Sequence, residues 1–344
     1  MATVSDMHVK RYIRWFLLCA TLCVCGALHA QTMGFEEDDW SSESADNRFS
    51  GLSRKSGTFF RRAREDTPEA QLAHARALQE QGRLRAAARQ FNALVHQWPD
   101  AEEAAVAQLA FARGMQARGR YERAFREYQY LIEHYAGQFP YREILSEQLQ
   151  VARSVMGQRR GAILFLPGFE SPERAIPLFR IVIANGPNWE EIPDIRLLIG
   201  QILEENRDYA DAVAAYEEVI IYHGRHAVAR EAIFRKAICL KKIADRNPRD
   251  ERRTQVAMQA LFAALREDLG AEQIAEAEAL VRELRQRLET YHFQQAEFYD
   301  YKVRNPEAAL LSYQAFLRRF PDSGKTNLVK QRMAELEATM TGKE

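Results

Sequence analysis

One spacing of small and aromatic residues returns six times between residues 67 and 340, and such recurrence confines a chain to like units stacked one on the next. The first copy shows the pattern. Thr67-Pro68-Glu69 supplies a capping hydroxyl, a proline at the first helical position and an acid near the positive end of the helix dipole. Small residues then alternate with large ones at helical spacing to Gln81, Gly82 breaks the run, and a second amphipathic stretch ends at Trp98-Pro99-Asp100. Ala75 is the small residue of the first helix; Ala87 and Phe91 are the small and large residues of the second. Two helices approach closely only where a small side chain faces the neighbour, and an aromatic one turn on fills the space that remains.

Ala112, Gly119, Tyr121, Ala124 and Tyr128 repeat this arrangement, Ala112 lying 37 residues after Ala75. A third copy has Ala152, then Ala175, Phe179 and Pro187, with about eleven residues inserted between its helices. Gly200, Tyr209, Ala212 and Tyr216 form the fourth. The fifth has Ala237, a polar loop at Asp245-Arg246-Asn247-Pro248, then Ala257 and Leu261. The sixth opens with a long helix through Leu280, Leu284, Leu288 and Phe298, and closes with Ala309, Tyr313, Phe316 and Pro321. The pattern resembles the tetratricopeptide repeat, a pair of antiparallel helices about 34 residues long. The resemblance implies an all-α, tetratricopeptide-type helical-hairpin solenoid of about six repeats over residues 67–340, with Ser323–Met340 as a C-terminal capping helix. A generic helical bundle is the alternative. Neither strand-like run stands as a strand: Ile163–Leu166 falls in the insertion and Val219–Tyr222 in a second helix.

Residues 1–30 read as a secretory signal peptide: Lys10, Arg11 and Arg14, a fourteen-residue apolar stretch from Trp15 to Leu28, and the small-residue end Leu28-His29-Ala30. The stretch falls short of the roughly 20 residues a membrane span needs. Cys19, Cys23 and Cys25 follow Leu18, Leu22 and Val24, a poor context for lipidation. Removing the leader leaves 45 basic against 47 acidic side chains and one thiol, Cys239, which suits an oxidising compartment without disulfides. Residues 31–66, with Glu36-Glu37-Asp38-Asp39 and a basic stretch from Arg54 to Arg62, have no sustained period and read as a disordered charged linker.

Little in the sequence points to catalysis or a cofactor. It holds no phosphate-cradling Gly-rich loop, HExxH, nucleophile elbow or CxxC, and none of its carboxylates is singled out by position. The reading is non-enzymatic, with no cofactor and no metal. His223 and His226 would need a carboxylate such as Glu231 to hold a metal; a polar turn is the simpler reading. With 48 basic and 48 acidic side chains, there is no basic field for nucleic acid.

Two features suggest binding. In tetratricopeptide hairpins the residue after the small position of the first helix faces the inner surface, and here it is Arg76, Arg113 and Arg153 in the first three repeats, then Gln201 and Ile238. Guanidinium groups make forked bonds to carboxylates, so the arginines could grip an acid-bearing or carboxylate-ended polypeptide, or pair with Glu on neighbouring helices. The insertion Gly161–Pro172 carries five large apolar residues, Phe165 and Phe169 among them, which must pack on the solenoid or on a partner. Ser171 and Pro172 are expected to cap the helix that follows.

The insertion Leu166-Pro167-Gly168-Phe169-Glu170-Ser171-Pro172-Glu173-Arg174-Ala175-Ile176 and the stretch His292-Phe293-Gln294-Gln295-Ala296-Glu297-Phe298-Tyr299 carry a narrower resemblance. With Asn305-Pro306-Glu307-Ala308-Ala309-Leu310 and Phe320-Pro321-Asp322-Ser323, they resemble the BamD family of outer-membrane β-barrel assembly factors, over roughly residues 67–323. The resemblance implies a periplasmic scaffold at the inner face of the outer membrane, peripherally associated with it. It would bind an Omp85-type barrel-inserting protein and unfolded outer-membrane protein precursors. Two features depart from the family, which has lipoprotein anchors and five repeats. The alternative is a periplasmic tetratricopeptide adaptor coordinating cell-wall or envelope-constriction proteins. That class begins with a coiled coil, and residues 31–66 show no heptads.

Overall fold

A computed structural model of the protein describes residues 62–160 and 169–341, and among these are thirteen α-helices that pack in chain order as six antiparallel hairpins and a final helix. The hairpins are α1 Pro68–Glu80 with α2 Leu84–Gln97, α3 Glu102–Gln116 with α4 Tyr121–His134, and α5 Tyr141–Met156 with α6 Ile176–Asn185. They continue with α7 Ile192–Glu205 and α8 Tyr209–His223, α9 Val228–Asp245 and α10 Glu251–Ala264, and α11 Ala271–Glu297 and α12 Pro306–Arg319. Helix α13, Thr326–Thr341, closes the series. None of the described helices is long and apolar enough to cross a membrane.

Local chemistry sets the helix ends. Thr67 Oγ1 accepts from Ala70 N at 3.3 Å and Pro68 opens α1, while Asp250 and Asn305 cap α10 and α12 in the same way. The turns inside hairpins one and two require the left-handed conformation, and Gly82 (φ +71°) and Gly119 (φ +69°) supply it without a Cβ clash. Arg207 (φ +66°) takes the same conformation in hairpin four.

The packing follows the spacing of small and aromatic side chains. Ala75, Ala112, Ala152 and Ala237 in the first helices, and Ala124, Ala175, Ala212, Ala257 and Ala309 in or at the start of the second, are fully buried. Phe91, Tyr128, Phe179, Tyr216, Tyr313 and Phe316 fill the gaps between them. Three of these are tyrosines whose hydroxyls need acceptors once buried. Tyr128 donates to Gln116 at 2.6 Å, Tyr216 to Glu204 at 2.7 Å and Tyr313 to Asp300 at 3.2 Å, each 12 or 13 residues back, where the first helix of its hairpin ends.

Hairpin three departs from the simple pattern. Arg159–Arg160 and Phe169–Glu170 pair as two-residue antiparallel strands, β1 and β2, at the mouth of the insertion. The expected capping by Ser171 is absent: its side chain makes no cap bond, and Pro172–Ala175 form one 3-10 turn before α6. Pro177 explains the break, since it has no N–H to give the Glu173 carbonyl that a continuous α-helix would require. A second departure lies at the end of α11, where Phe298–Val303 widen into a π-turn.

Candidate partner-binding row

Arg76, Arg113 and Arg153 each follow a fully buried alanine on the first helix of hairpins one, two and three, and all three are exposed. Their neighbours differ. Arg113 is bonded to Glu143 and, at 3.2 Å, to Glu147, both on α5. Burial works against its charge, but those carboxylates outweigh the penalty and raise its pKa. Arg153 stands 3.9 Å from Glu191 at the start of α7. Arg76 has no carboxylate partner among the described residues. Phe165 lies outside the described residues, and of Phe169 only the backbone is described, paired with Arg160.

Arg113 thus takes the alternative the sequence offered, pairing with Glu on a neighbouring helix, and it belongs to a wider row of ion pairs that the sequence did not show. Every step from α3 to α11 along the row of first helices carries an ion pair. Arg235 of α9 meets Glu204 of α7 at 3.2 Å, Lys241 of α9 meets Glu283 of α11 at 3.1 Å, and Arg287 of α11 meets Asp245 of α9 at 2.7 Å. A second missed feature is buried. Gln71, Gln108 and Gln148 sit one turn before the three alanines, fully buried, and bind across to the second helices. Gln71 Nε2 donates to the Gln90 carbonyl at 3.1 Å, Gln108 Nε2 to the Glu127 carbonyl at 2.8 Å, and Gln148 Nε2 to Gln129 Oε1 at 3.0 Å. The signal was present as glutamine recurring four residues before each alanine.

The remaining candidates lie elsewhere. Cys239 is fully buried, and burial pushes its thiol up to about 12. Glu231, the carboxylate that a metal site at His223 and His226 would need, is held by Arg235 at 2.5 Å and by Gln273 at 2.7 Å. Among the described residues no three His, Cys, Asp or Glu side chains are grouped to hold a metal ion.

Residues 69–101 and 169–222 each match the family described as tetratricopeptide repeat. The chain is similar to a tetratricopeptide repeat protein of Parabacteroides merdae, with 12% identity, 78% of this chain and 98% of that one covered, and a TM-score of 0.28. It is also similar to the C-terminal part of a repeat-containing protein of the same type from Cytophaga hutchinsonii, at 13% identity, 77% and 88% coverage and a TM-score of 0.29. No curated protein matches the sequence. The fold is a tetratricopeptide-type helical-hairpin solenoid. Such repeats are protein-interaction scaffolds and are typically non-catalytic.

Proposed function

We propose that this chain is a non-enzymatic scaffold of outer-membrane β-barrel protein assembly. It works in the periplasm, peripherally associated with the inner face of the outer membrane. There it binds an Omp85-type insertase, unfolded barrel precursors, or both. The leader-like residues 1–30 and the BamD-like segments at 166–176 and 292–323 support the setting. The observation that carries the binding role is the row of exposed arginines on α1, α3 and α5. A carboxylate of an extended polypeptide meets Arg76 directly, and at Arg113 it exchanges with Glu143 and Glu147.

Purification of the native protein from detergent-solubilised envelopes, with identification of what accompanies it, tests the reading. An Omp85-type barrel in stoichiometric amount is expected. Cell-wall or division proteins in its place would move the function to the adaptor alternative. The Arg76→Glu, Arg153→Glu double variant should recover several-fold less partner with an unchanged thermal midpoint, because both side chains are exposed and at most loosely paired. Undiminished recovery would remove the arginine row from the argument. Arg113 is left intact, since its reversal would set a third carboxylate beside Glu143 and Glu147.

A further inference from the structure

A second set of arginines stands outside this pairing scheme. Arg85 and Arg89 on α2, Arg118 in the turn after α3, and Arg123 on α4 line one cavity of about 170 Å³, with Phe111 and Met115 among its apolar lining. Phe111 and Met115 are buried, and the Arg123 guanidinium lies 5.7 Å from the centre of the Phe111 ring. Along the row of first helices, cations are matched by carboxylates at step after step. Here Arg123 alone reaches one, Glu127 at 3.9 Å, while Arg85, Arg89 and Arg118 have none among the described residues. Burial and the neighbouring Arg120, Arg85, Arg123 and Arg89 together lower the Arg118 pKa. Four guanidinium groups gathered around one small cavity repel one another, and an anionic occupant converts that repulsion into attraction.

We infer that this cavity between α2, α3 and α4 is a binding site for an acidic peptide segment of a partner protein, with its carboxylates on the arginines that rim the buried Phe111 and Met115. The chemistry selects a peptide over a bare anion. Arg85 and Arg89 stand one helical turn apart, about 6 Å along α2, and with Arg118 in the turn after α3 and Arg123 on α4 they suit several carboxylates spread along a chain. The site is separate from the row of Arg76, Arg113 and Arg153 and does not rest on the assembly role.

The test uses the full chain and a fluorescein-labelled peptide of Asp and Glu, followed by fluorescence anisotropy. Saturable binding that weakens as salt rises is expected, and the peptide with Asn and Gln in place of its acids should not bind. Arg89→Glu with Arg118→Glu should weaken binding by roughly tenfold or more, whereas Arg76→Glu with Arg153→Glu should leave it nearly unchanged. Equal binding by the pocket variant would overturn the inference. So would displacement of the peptide by inorganic phosphate, or by phosphatidylglycerol vesicles, at comparable concentration. A second measurement needs no ligand: Arg118→Gln should raise the thermal midpoint by relieving the repulsion, with the gain shrinking in high salt. A lowered midpoint would mean that Arg118 is held by structural bonds, and the inference would fall.

Discussion

At the position where α1, α3, α5 and α9 carry alanine, α7 carries Gly200, and the difference of one methyl group is set by a neighbour. A Cβ built on Gly200 would overlap the ring of Tyr216, which is fully buried and fixed at its far end by the bond to Glu204. The ring cannot swing away without breaking that bond or displacing the packing around it. Gly200→Ala therefore sets two effects against each other. Alanine improves helix propensity by about 1 kcal/mol, while forcing a methyl group into a filled core costs about 1–3 kcal/mol. The overlap with an anchored ring places this site at the upper end, so the variant should lose about 1–2 kcal/mol in a urea melt. A gain in stability would show that Tyr216 has room to move.

The elements are held by a different kind of contact at the C-terminal end. Helix α13 buries only Val329 and Leu336 fully or nearly so, and its attachment depends on Arg332. That guanidinium forks onto Asp300 of the π-turn, at 2.8 Å to Oδ2 and 2.9 Å to Oδ1, and Asp300 also accepts from Tyr313. Bonds to Arg332 hold the Asp300 carboxyl below its usual range. A depressed folded-state pKa means stability that is complete above the unfolded value of about 4 and is lost as the pH falls through the folded one. Arg332→Ala strands a buried carboxylate, which costs about 3 kcal/mol. The amides of 326–341 should then exchange faster, and the variant should show less further loss on acidification than the parent chain. Unchanged protection would mean that Val329 and Leu336 suffice. This contact also marks how far the sequence could be read. The hairpins, their Gly82 and Gly119 turns and the buried alanines follow from residues close together in the chain. Asp300 with Arg332, the π-turn and the arginine cavity depend on approach between segments that no local period records. For the candidate row, the sequence shows Arg76, Arg113 and Arg153 in register, but not that Glu143 and Glu147 already occupy Arg113.

In the whole molecule, a solenoid is as cooperative as its weakest seam, because each hairpin contacts little beyond its neighbours. The buried side chains group accordingly: Tyr216 with Ala232 and Cys239, Phe234 with Leu261 and Leu284, and Leu288 with Phe316 and Leu336. Met258 packs against the last two groups and links them. Hairpin three buries Ile144, Leu149, Leu178, Phe179 and Val182 and adds a set of polar bonds. Its second helix, α6, has ten residues where the next three have 14, 15 and 18, so it offers fewer turns along which to hold its neighbours. Polar side chains stitch this seam. Asn185 at the end of α6 donates to Gln129 at 2.8 Å and to Gln148 at 2.9 Å, and the hydroxyl of Tyr141 donates to the Asn185 carbonyl at 2.8 Å. Arg174 of the 3-10 turn pairs with Glu122 of α4, both nearly buried. Asn185→Ala removes the donor to the fully buried Gln148, at about 1–3 kcal/mol for a buried group left without a partner. Because the loss falls on the shortest helix, it should uncouple the two sides of the array rather than weaken it evenly. Calorimetry of the parent chain should show one main transition and that of the variant two, with residues 62–156 melting apart from 172–341. A single transition, merely shifted to lower temperature, would mean that the packing of α5 against the 3-10 turn and α6 carries the coupling without Asn185.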